Sequence, residues 1–182
     1  MRIDPKYFNK FITVVALAAA LLIVFFTIHN QNSREEAFRD AVYSSDSLRY
    51  TWLQHFDRPD SLQLKRYKGR FVVLNFWSTW SPPSQDALND LLGLKQRYDS
   101  TLVVIAAAAK DTRDNVEKYR RNHAYPFEFV DGTALFNALH APGVPSQVIF
   151  DPKGRIMAIE TGYKGAGQLD TLSVRLQQHS HP

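Results

Sequence analysis

The sequence predicts an α/β domain, with a mixed sheet flanked by helices, that follows a single membrane-spanning helix. Three patterns carry this prediction. An uncharged apolar run occupies residues 11–28, two apolar runs at 71–77 and 102–108 enclose a helical pattern, and two shorter strands surround a turn at 152–154. Strand, helix and strand in succession indicate a parallel pair, and the later hairpin adds antiparallel strands. The 182 residues leave room for one globular domain behind the anchor.

Composition excludes several kinds of chemistry. The chain contains no cysteine and carries a formal net charge of +4. Without thiols it forms no disulfide bond, no thiolate nucleophile and no metal site built on cysteine. Basic residues alternate with acidic ones, as in residues 111–121, and form no aromatic-laced basic stripe. A nucleic-acid partner is therefore not expected, and neither is a cofactor.

The apolar run Phe11–Ile28 spans about 27 Å as a helix, which is enough to cross a hydrocarbon core. A cleaved signal peptide is the alternative. The small residues Ala18, Ala19 and Ala20 lie in the middle of the run, however, and LLIVFF follows them where a polar mature start would be needed. A retained anchor that binds the membrane through residues 11–28 is the favoured reading.

Charges flanking the anchor predict its orientation. Arg2, Lys6 and Lys10 precede it, whereas residues 34–40 are mixed in charge and slightly acidic. Residues 1–10 are therefore expected in the cytoplasm and the domain, residues 48–182, outside. Residues 29–47 are polar and helix-compatible, and we expect a stalk or a helix leading into the folded part.

The elements of the domain follow from apolar periodicity and turn residues. The first half contains a hairpin with strands at 50–56 and 62–64 around a turn at 57–60, the strand 71–77, a helix opening at Pro82 and Pro83, and the strand 102–108. The second half contains a helix at 114–123, a short segment at 127–130, a helical piece at 134–140, strands at 147–150 and 156–160, and a helix at 168–178.

Two separated motifs resemble a known group. Lys68–Ser84 reads KGRFVVLNFWSTWSPPS, and Gly143–Ile156 reads GVPSQVIFDPKGRI. These runs are similar to W-x-x-W-C-P-P-C and G-V-P-T-T-F-L-I-D-x-x-G-x-I of the thioredoxin-like proteins of TlpA and ResA type, which include cytochrome c maturation thioredoxins. The resemblance covers residues 50–178. It implies a thioredoxin-like mixed sheet and a bacterial cytoplasmic (inner) membrane protein whose domain faces the periplasm or the cell exterior.

Ser81 and Ser84 occupy the two cysteine positions of the motif. A hydroxyl is a far weaker acid than a thiol and forms no disulfide, so thiol–disulfide exchange has no intermediate to pass through. Ser81 has a structural role available instead, because serine before Pro82 is a good helix N-cap. We predict that Ser81 caps this helix.

Two further positions depart from the ResA pattern. Three residues after the second cysteine, ResA-like proteins usually carry a buried glutamate that assists proton transfer, and a proline follows two residues later. This chain has Ala87 and Asn89 there. A deliberate removal of thiols would leave both positions alone, so the joint loss favours natural decay of the redox site.

A peptide-binding groove is the feature that the resemblance leaves intact. Pro145 matches the family's cis-proline, and the backbone of Val144 would pair with an extended peptide, which needs no thiol. Trp80 lies just before Ser81 and is predicted either to line this groove, together with Pro82 and Pro83, or to support the loop. Trp77 ends a buried strand and is predicted to be core.

Other chemistry has weak support in the sequence. A serine hydrolase would pair Ser81 or Ser84 with His140 or His123, but no nucleophile elbow and no orienting acid are recognisable. His179 and His181 are expected to be solvated at a chain end and not to bind metal. Asp111 and Asp114 are expected to cap and charge the helix that follows them.

The leading hypothesis is a membrane-anchored, outward-facing binding module for an extended peptide or an envelope protein, without redox turnover. One alternative is an oxidoreductase for disulfide reduction or cytochrome c maturation that acts with cysteines supplied by a partner. Another is a structural subunit in which the anchor and the stalk matter more than the groove.

Overall fold

A computed structural model describes residues 5–45 and 48–180. The helices are α1 (Pro5–Ser44), α2 (Pro82–Arg97), α3 (Arg113–Asn122), α4 (Thr133–Ala138) and α5 (Asp170–Ser180). The strands are β1 (Leu53–Gln54), β2 (Ser61–Leu62), β3 (Phe71–Trp77), β4 (Leu102–Ala108), β5 (Glu128–Asp131), β6 (Ser146–Phe150) and β7 (Ile156–Thr161). Single 3-10 turns span Leu48–Tyr50, Leu64–Tyr67 and Ala166–Leu169. The expectations for Arg2, for the end of the stalk at 46–47 and for His181 fall outside the described residues.

The predicted mixed sheet is confirmed. Its five strands lie in the order β5-β4-β3-β6-β7. β3 pairs with β4 in parallel and with β6 in antiparallel orientation. At the two ends of the strand order, β5 pairs with β4 in parallel and β7 pairs with β6 in antiparallel orientation. The carboxyl ends of β3 and β4 therefore meet the amino end of β6 at one edge of the sheet.

The two faces of the sheet are covered by different helices. Side chains of β3 alternate between them, with Leu74 on one face and Val73 on the other. The end of α1 packs against the first face through Phe38, and α4 packs against it through Phe136. The second face is packed by α2 and α5, with Leu91 among the buried contacts. Trp77 is fully buried there, which confirms it as a core residue.

Helix α1 joins the apolar run to the domain without a break. Large side chains between residues 11 and 28 are exposed, whereas Phe38 and Val42 near its end are buried in the core. Arg39 also donates a hydrogen bond to the carbonyl of Ile159, at 3.3 Å. Residues 29–44 are therefore the middle and end of one long helix, and the core includes residues that precede position 48.

Several element boundaries differ from the sequence prediction for local reasons. The hairpin strands are shorter, because the chain enters a 3-10 turn at Leu64. Helix α4 ends early, and His140 adopts a left-handed conformation with φ of 54°. Helix α5 begins at Asp170, and a separate 3-10 turn occupies 166–169.

The turn between β6 and β7 depends on one carboxylate. Asp151 accepts hydrogen bonds from the backbone N–H groups of Lys153 and Arg155 and from the Arg155 side chain, all at 2.8–2.9 Å. Burial alone would raise the pKa of Asp151, but these hydrogen bonds and the charge of Arg155 outweigh it and lower the pKa. A lowered carboxyl pKa means that the stabilisation is present above about pH 4 and is lost as pH falls through the folded-state value.

We predict that Asp151→Asn lowers the free energy of unfolding by about 1 kcal/mol at pH 7 and by much less near pH 2. Urea denaturation at the two pH values measures this difference. Asp86→Asn, at an exposed position on α2, is the control and is expected to change little at either pH. An Asp151→Asn effect that is the same at both pH values would contradict the assignment.

Candidate functional site

The loop after β3 is tied to the loop after β4. Because the two strands are parallel neighbours, their carboxyl ends lie side by side. Three hydrogen bonds cross between the loops: Ser78 Oγ to the carbonyl of Ala109, Thr79 N–H to Asp111 Oδ2 at 2.6 Å, and Trp80 Nε1 to the carbonyl of Lys110 at 3.0 Å. The segment that leads into α2 is therefore held before the helix begins.

Asp111 contacts the start of α3, as the sequence predicted, by accepting from Thr112 N–H at 2.8 Å and from Asn115 Nδ2 at 3.3 Å, and it also has a second role that the sequence did not predict. Thr112 is the N-cap of α3, with its side chain accepting from the N–H of Asn115 at 3.3 Å. Asp111 accepts from Thr79 across the loop gap, and Asp114 stays in the first turn of α3 as expected. Sequence reasoning missed the contact because Thr79 and Asp111 are 32 positions apart.

Ser81 caps helix α2, as predicted. Its side chain accepts from the N–H of Ser84 at 3.4 Å, a long hydrogen bond, and Pro82 is the first helical residue. Both serines are buried, whereas Pro82 and Pro83 are exposed. The hydroxyl of Ser81 thus supports the helix start rather than facing a reactant.

The buried polar groups at this end of β3 and α2 are neutral. Ser84 Oγ is buried without a hydrogen-bond partner in the described structure, and so are both amide atoms of Asn75 and Oε1 of Gln147. Asn75 and Gln147 face each other across β3 and β6. Ala87, at the position of the family's glutamate, is 2% exposed and apolar. No carboxylate is among the buried side chains of the described residues, so proton transfer has no buried acid to use.

Asn75 is a residue that the sequence reading missed. It was counted within the apolar run FVVLNFW, in which it is the one polar residue. A polar side chain in the middle of a strand that is buried throughout is the signal that would have identified it, since burying an amide is costly without a partner.

The Val144–Pro145 loop presents free backbone at the same edge of the sheet. The peptide bond between the two residues is cis. The carbonyl of Pro145 accepts from Gly162 N–H at 2.9 Å and that of Gly143 accepts from Ser146 Oγ at 2.7 Å. Among the described hydrogen bonds, the N–H and the carbonyl of Val144 have no backbone partner. An extended peptide could therefore pair with Val144.

A cavity of about 420 Å³ lies beside this loop, and α1 forms one of its walls. That wall consists of Thr27, Asn30, Gln31, Arg34 and Glu35. The other wall comprises residues 142–145 and 161–162. Trp80, Pro82 and Pro83 do not line this cavity, although the sequence placed them around one groove with Val144 and Pro145.

Trp80 lies on the neighbouring loop. Its side chain is 61% exposed, although its indole N–H is tied to Lys110. Lys110 in turn lines a second cavity together with Arg34 and His140. Arg34 thus borders both cavities, and α1 connects the region of Trp80 with the Val144 loop.

The hydrolase alternative finds no support in the geometry. His123 stacks on Tyr119 with ring centroids 4.1 Å apart, and its Nδ1 lies 2.9 Å from the Tyr119 carbonyl oxygen. His140 is exposed beside α1. None of the described hydrogen bonds joins a histidine to Ser81 or Ser84, so neither hydroxyl has a general base in contact. His179 packs edge-on against Phe71.

Another cavity, of about 170 Å³, lies at the opposite end of the sheet. Its lining includes Lys68, Phe150 and Gly154, and it shares no residue with the Val144 cavity. It is therefore separate from the site that the motifs predict.

Comparison with known proteins supports the resemblance seen in the motifs. The family model described as thioredoxin-like matches residues 69–156. The thiol–disulfide oxidoreductase ResA of Halalkalibacterium halodurans is 26% identical over 107 residues, which cover 57% of this chain and 60% of that protein. The thioredoxin-like protein YneN of Bacillus subtilis is 28% identical over 103 residues, which cover 54% of this chain and 61% of that protein. The chain thus spans about three fifths of the length of these relatives.

The fold has close counterparts among solved structures. A putative thioredoxin from Neisseria meningitidis superposes with a TM-score of 0.62 at 19% identity, covering 72% of this chain and 89% of that one. The thioredoxin-like fold predicted from the sequence is confirmed. The domain is similar to thiol–disulfide oxidoreductases, and it contains no cysteine.

We predict that alanine substitutions at the two serines change the stability of the domain differently. Ser81→Ala removes the cap and is expected to lower the free energy of unfolding by about 0.5–1 kcal/mol. Ser84→Ala removes a buried hydroxyl that has no partner and is expected to be neutral or slightly stabilising. Urea denaturation of the two variants compares them directly, and the reverse order would contradict both assignments.

We also predict that the tie between the loops stabilises the site. Asp111→Ala leaves Thr79 N–H without its acceptor and is expected to lower the free energy of unfolding by about 1–3 kcal/mol. Asp114→Ala, one turn away on α3, is the matched control and is expected to cost about 0.5 kcal/mol or less. Chemical denaturation measures the costs, and equal costs would mean that Asp111 acts only as a helix-start charge.

Proposed function

We propose that this thioredoxin-like chain is a membrane-anchored, outward-facing module that binds an extended peptide or protein segment and has no redox turnover of its own. The observation that carries the proposal is the free backbone of Val144, which borders an open cavity in a site that holds no thiol.

Redox turnover fails on chemical grounds. Exchange requires a thiolate that attacks a disulfide sulfur and a second thiol that resolves the mixed disulfide. Ser81 and Ser84 stand at both positions, and the hydroxyl of Ser81 is engaged as a helix cap. The surrounding buried groups are neutral, so nothing near the helix start raises the nucleophilicity of a hydroxyl.

Binding needs only features that the site retains. An added strand gains affinity from main-chain hydrogen bonds and specificity from side-chain pockets. Val144 supplies an N–H and a carbonyl that have no partner among the described hydrogen bonds, and Trp80 supplies an exposed aromatic surface on a loop held by three hydrogen bonds. A loop that is fixed before binding loses little conformational entropy when the ligand arrives.

Membrane attachment is part of the proposal. Among the described residues, one helix is long and apolar enough to cross a membrane, and its apolar side chains are exposed. An exposed apolar surface of this length is costly in water and favourable in a bilayer. The Lys and Arg residues that precede the run support an orientation in which the domain lies on the periplasmic or outer side of a bacterial cytoplasmic membrane.

A second candidate function is oxidoreductase activity that uses cysteines of a partner. It is favoured by one observation, the similarity to proteins named thiol–disulfide oxidoreductase. In such a complex this chain would position a substrate peptide while both thiols belong to the partner.

We predict that peptide binding depends on Trp80 and on the backbone of Val144. The probe is a fluorescein-labelled peptide of about eight alternating valine and threonine residues, which favours an extended conformation. Trp80→Ala is expected to weaken its binding about tenfold or more, because an aromatic contact surface is lost. Val144→Pro, which removes the N–H that pairs with the peptide, is expected to abolish it. Fluorescence anisotropy measures the dissociation constants.

Controls separate this role from a general loss of structure. Trp52 is 67% exposed on the N-terminal side of the domain, and Trp52→Ala is expected to leave binding unchanged. Ser84→Ala is expected to bind normally as well. Equal losses in the Trp52 and Trp80 variants would contradict a specific contact between Trp80 and the peptide, and insulin reduction by the purified chain alone would contradict the redox-inactive assignment.

A further inference from the structure

The direction of helix α1 relative to the sheet shows which end of the domain is nearer to the apolar run. Its end, at Val42 and Tyr43, lines a cavity with Ile156, where β7 begins. Earlier in the helix, Thr27 and Gln31 line a cavity with Thr161, where β7 ends. Helix α1 therefore runs along β7 in the opposite direction. Followed toward its N-terminus, it leaves the domain at the edge that carries the Val144 loop.

The apolar run ends at this same level. Ile28 is its last residue, and Thr27 already lines the cavity beside Val144. Arg34 lies six residues beyond Ile28, or about 9 Å along the helix axis. The polar headgroup layer on each side of the hydrocarbon core is about 5–8 Å thick. With the apolar run in the bilayer, the Val144 loop is placed at the headgroup layer.

The opposite edge of the sheet then lies farther from the membrane. β3 has seven residues and is about 23 Å long, which separates its two ends by more than the headgroup layer. Lys153 lies in the turn at the far edge, where β6 ends and β7 begins. The domain thus presents its candidate site to the membrane and its far end to the aqueous phase.

One wall of the cavity carries a cation without a partner. Arg34 is exposed, borders both cavities, and has no ion pair or hydrogen bond among the described interactions. Its neighbour Glu35 accepts from Gln31 Nε2 at 3.3 Å. Lys110 adds a second cation, which lies 5.1 Å from the centroid of the Phe136 ring and is likewise without a described ion pair. On the helix side, a ligand in this groove meets the Arg34 guanidinium and the Glu35 carboxylate, which already accepts from Gln31, and Lys110 lines the adjoining cavity.

We infer that the polar turns of α1 at residues 30–35 form one wall of the peptide groove, and that its partner is a juxtamembrane segment of another membrane protein. This inference rests on the proposed peptide-binding function. The segment is extended where it pairs with Val144 and carries an acidic residue opposite Arg34. A partner anchored in the same bilayer reaches the groove at a high effective concentration, whereas the membrane and α1 obstruct a soluble chain.

The orientation is tested first, without any peptide. Because the chain has no cysteine, a single introduced cysteine reports one position. Asn137→Cys marks the site edge and Lys153→Cys the far edge, both at exposed positions. Each full-length variant, labelled with a fluorophore, is reconstituted in phosphatidylcholine vesicles that contain a headgroup nitroxide quencher. Strong quenching at position 137 and little at 153 is expected, and equal or reversed quenching would overturn the inference.

The partner chemistry is tested with a photoreactive peptide. The probe is an extended valine–threonine peptide with one aspartate and one benzophenone, used either free or joined by a short linker to a lipid in the same vesicles. The tethered form is expected to crosslink to the full chain about tenfold or more better than the free form at equal total concentration. Arg34→Glu is expected to reduce that yield severalfold, whereas Arg121→Glu, exposed on α3, leaves it unchanged.

The outcomes separate this inference from the function on which it rests. Equal crosslinking of the free and the tethered peptide would preserve the peptide groove but overturn its orientation toward the membrane. Failure of both forms would overturn the peptide-binding function itself. A yield that is insensitive to Arg34→Glu would remove the acidic preference and the role of α1 as a wall.

Discussion

Strand β3 is the constraint on which the rest of the structure depends. All seven of its side chains are buried, and it is hydrogen-bonded to β4 on one side and to β6 on the other. Burial on both faces and hydrogen-bonded neighbours on both sides fix the register of this strand, because a shift by one residue would exchange the side chains of the two faces. The positions of the loop before α2, of the loop after β4 and of the Val144 loop all follow from it.

The site at the end of β3 combines a well-fixed backbone with the absence of any thiol. The helix start is capped and the approaching loop is held by hydrogen bonds, so the backbone is fixed before a ligand binds. The buried side chains that surround the helix start are hydroxyls, amides and Ala87, and none of those described carries a charge. A neutral interior of this kind does little to stabilise a charge that develops during a reaction.

The long helix α1 contains both the apolar run proposed as the membrane anchor and the residues that line the Val144 cavity. Its last turns are part of the core through Phe38 and Val42, so the helix cannot pivot freely where it meets the domain. A flexible linker would let the site face any direction. A rigid helix that contributes one wall of the cavity instead couples the orientation of the groove to the position of the anchor.

The sequence by itself determined that thiol chemistry is absent, that the fold is thioredoxin-like, and which local features the site has. The lack of cysteine is compositional, strand and helix types follow from residue periodicity, and the cap at Ser81 depends on its immediate neighbours. Tertiary structure alone decided that Asp111 holds Thr79, that Asn75 and Gln147 face each other, and that α1 borders the Val144 loop. These contacts join residues far apart in the chain, and periodicity and propensity describe only what lies within a few residues.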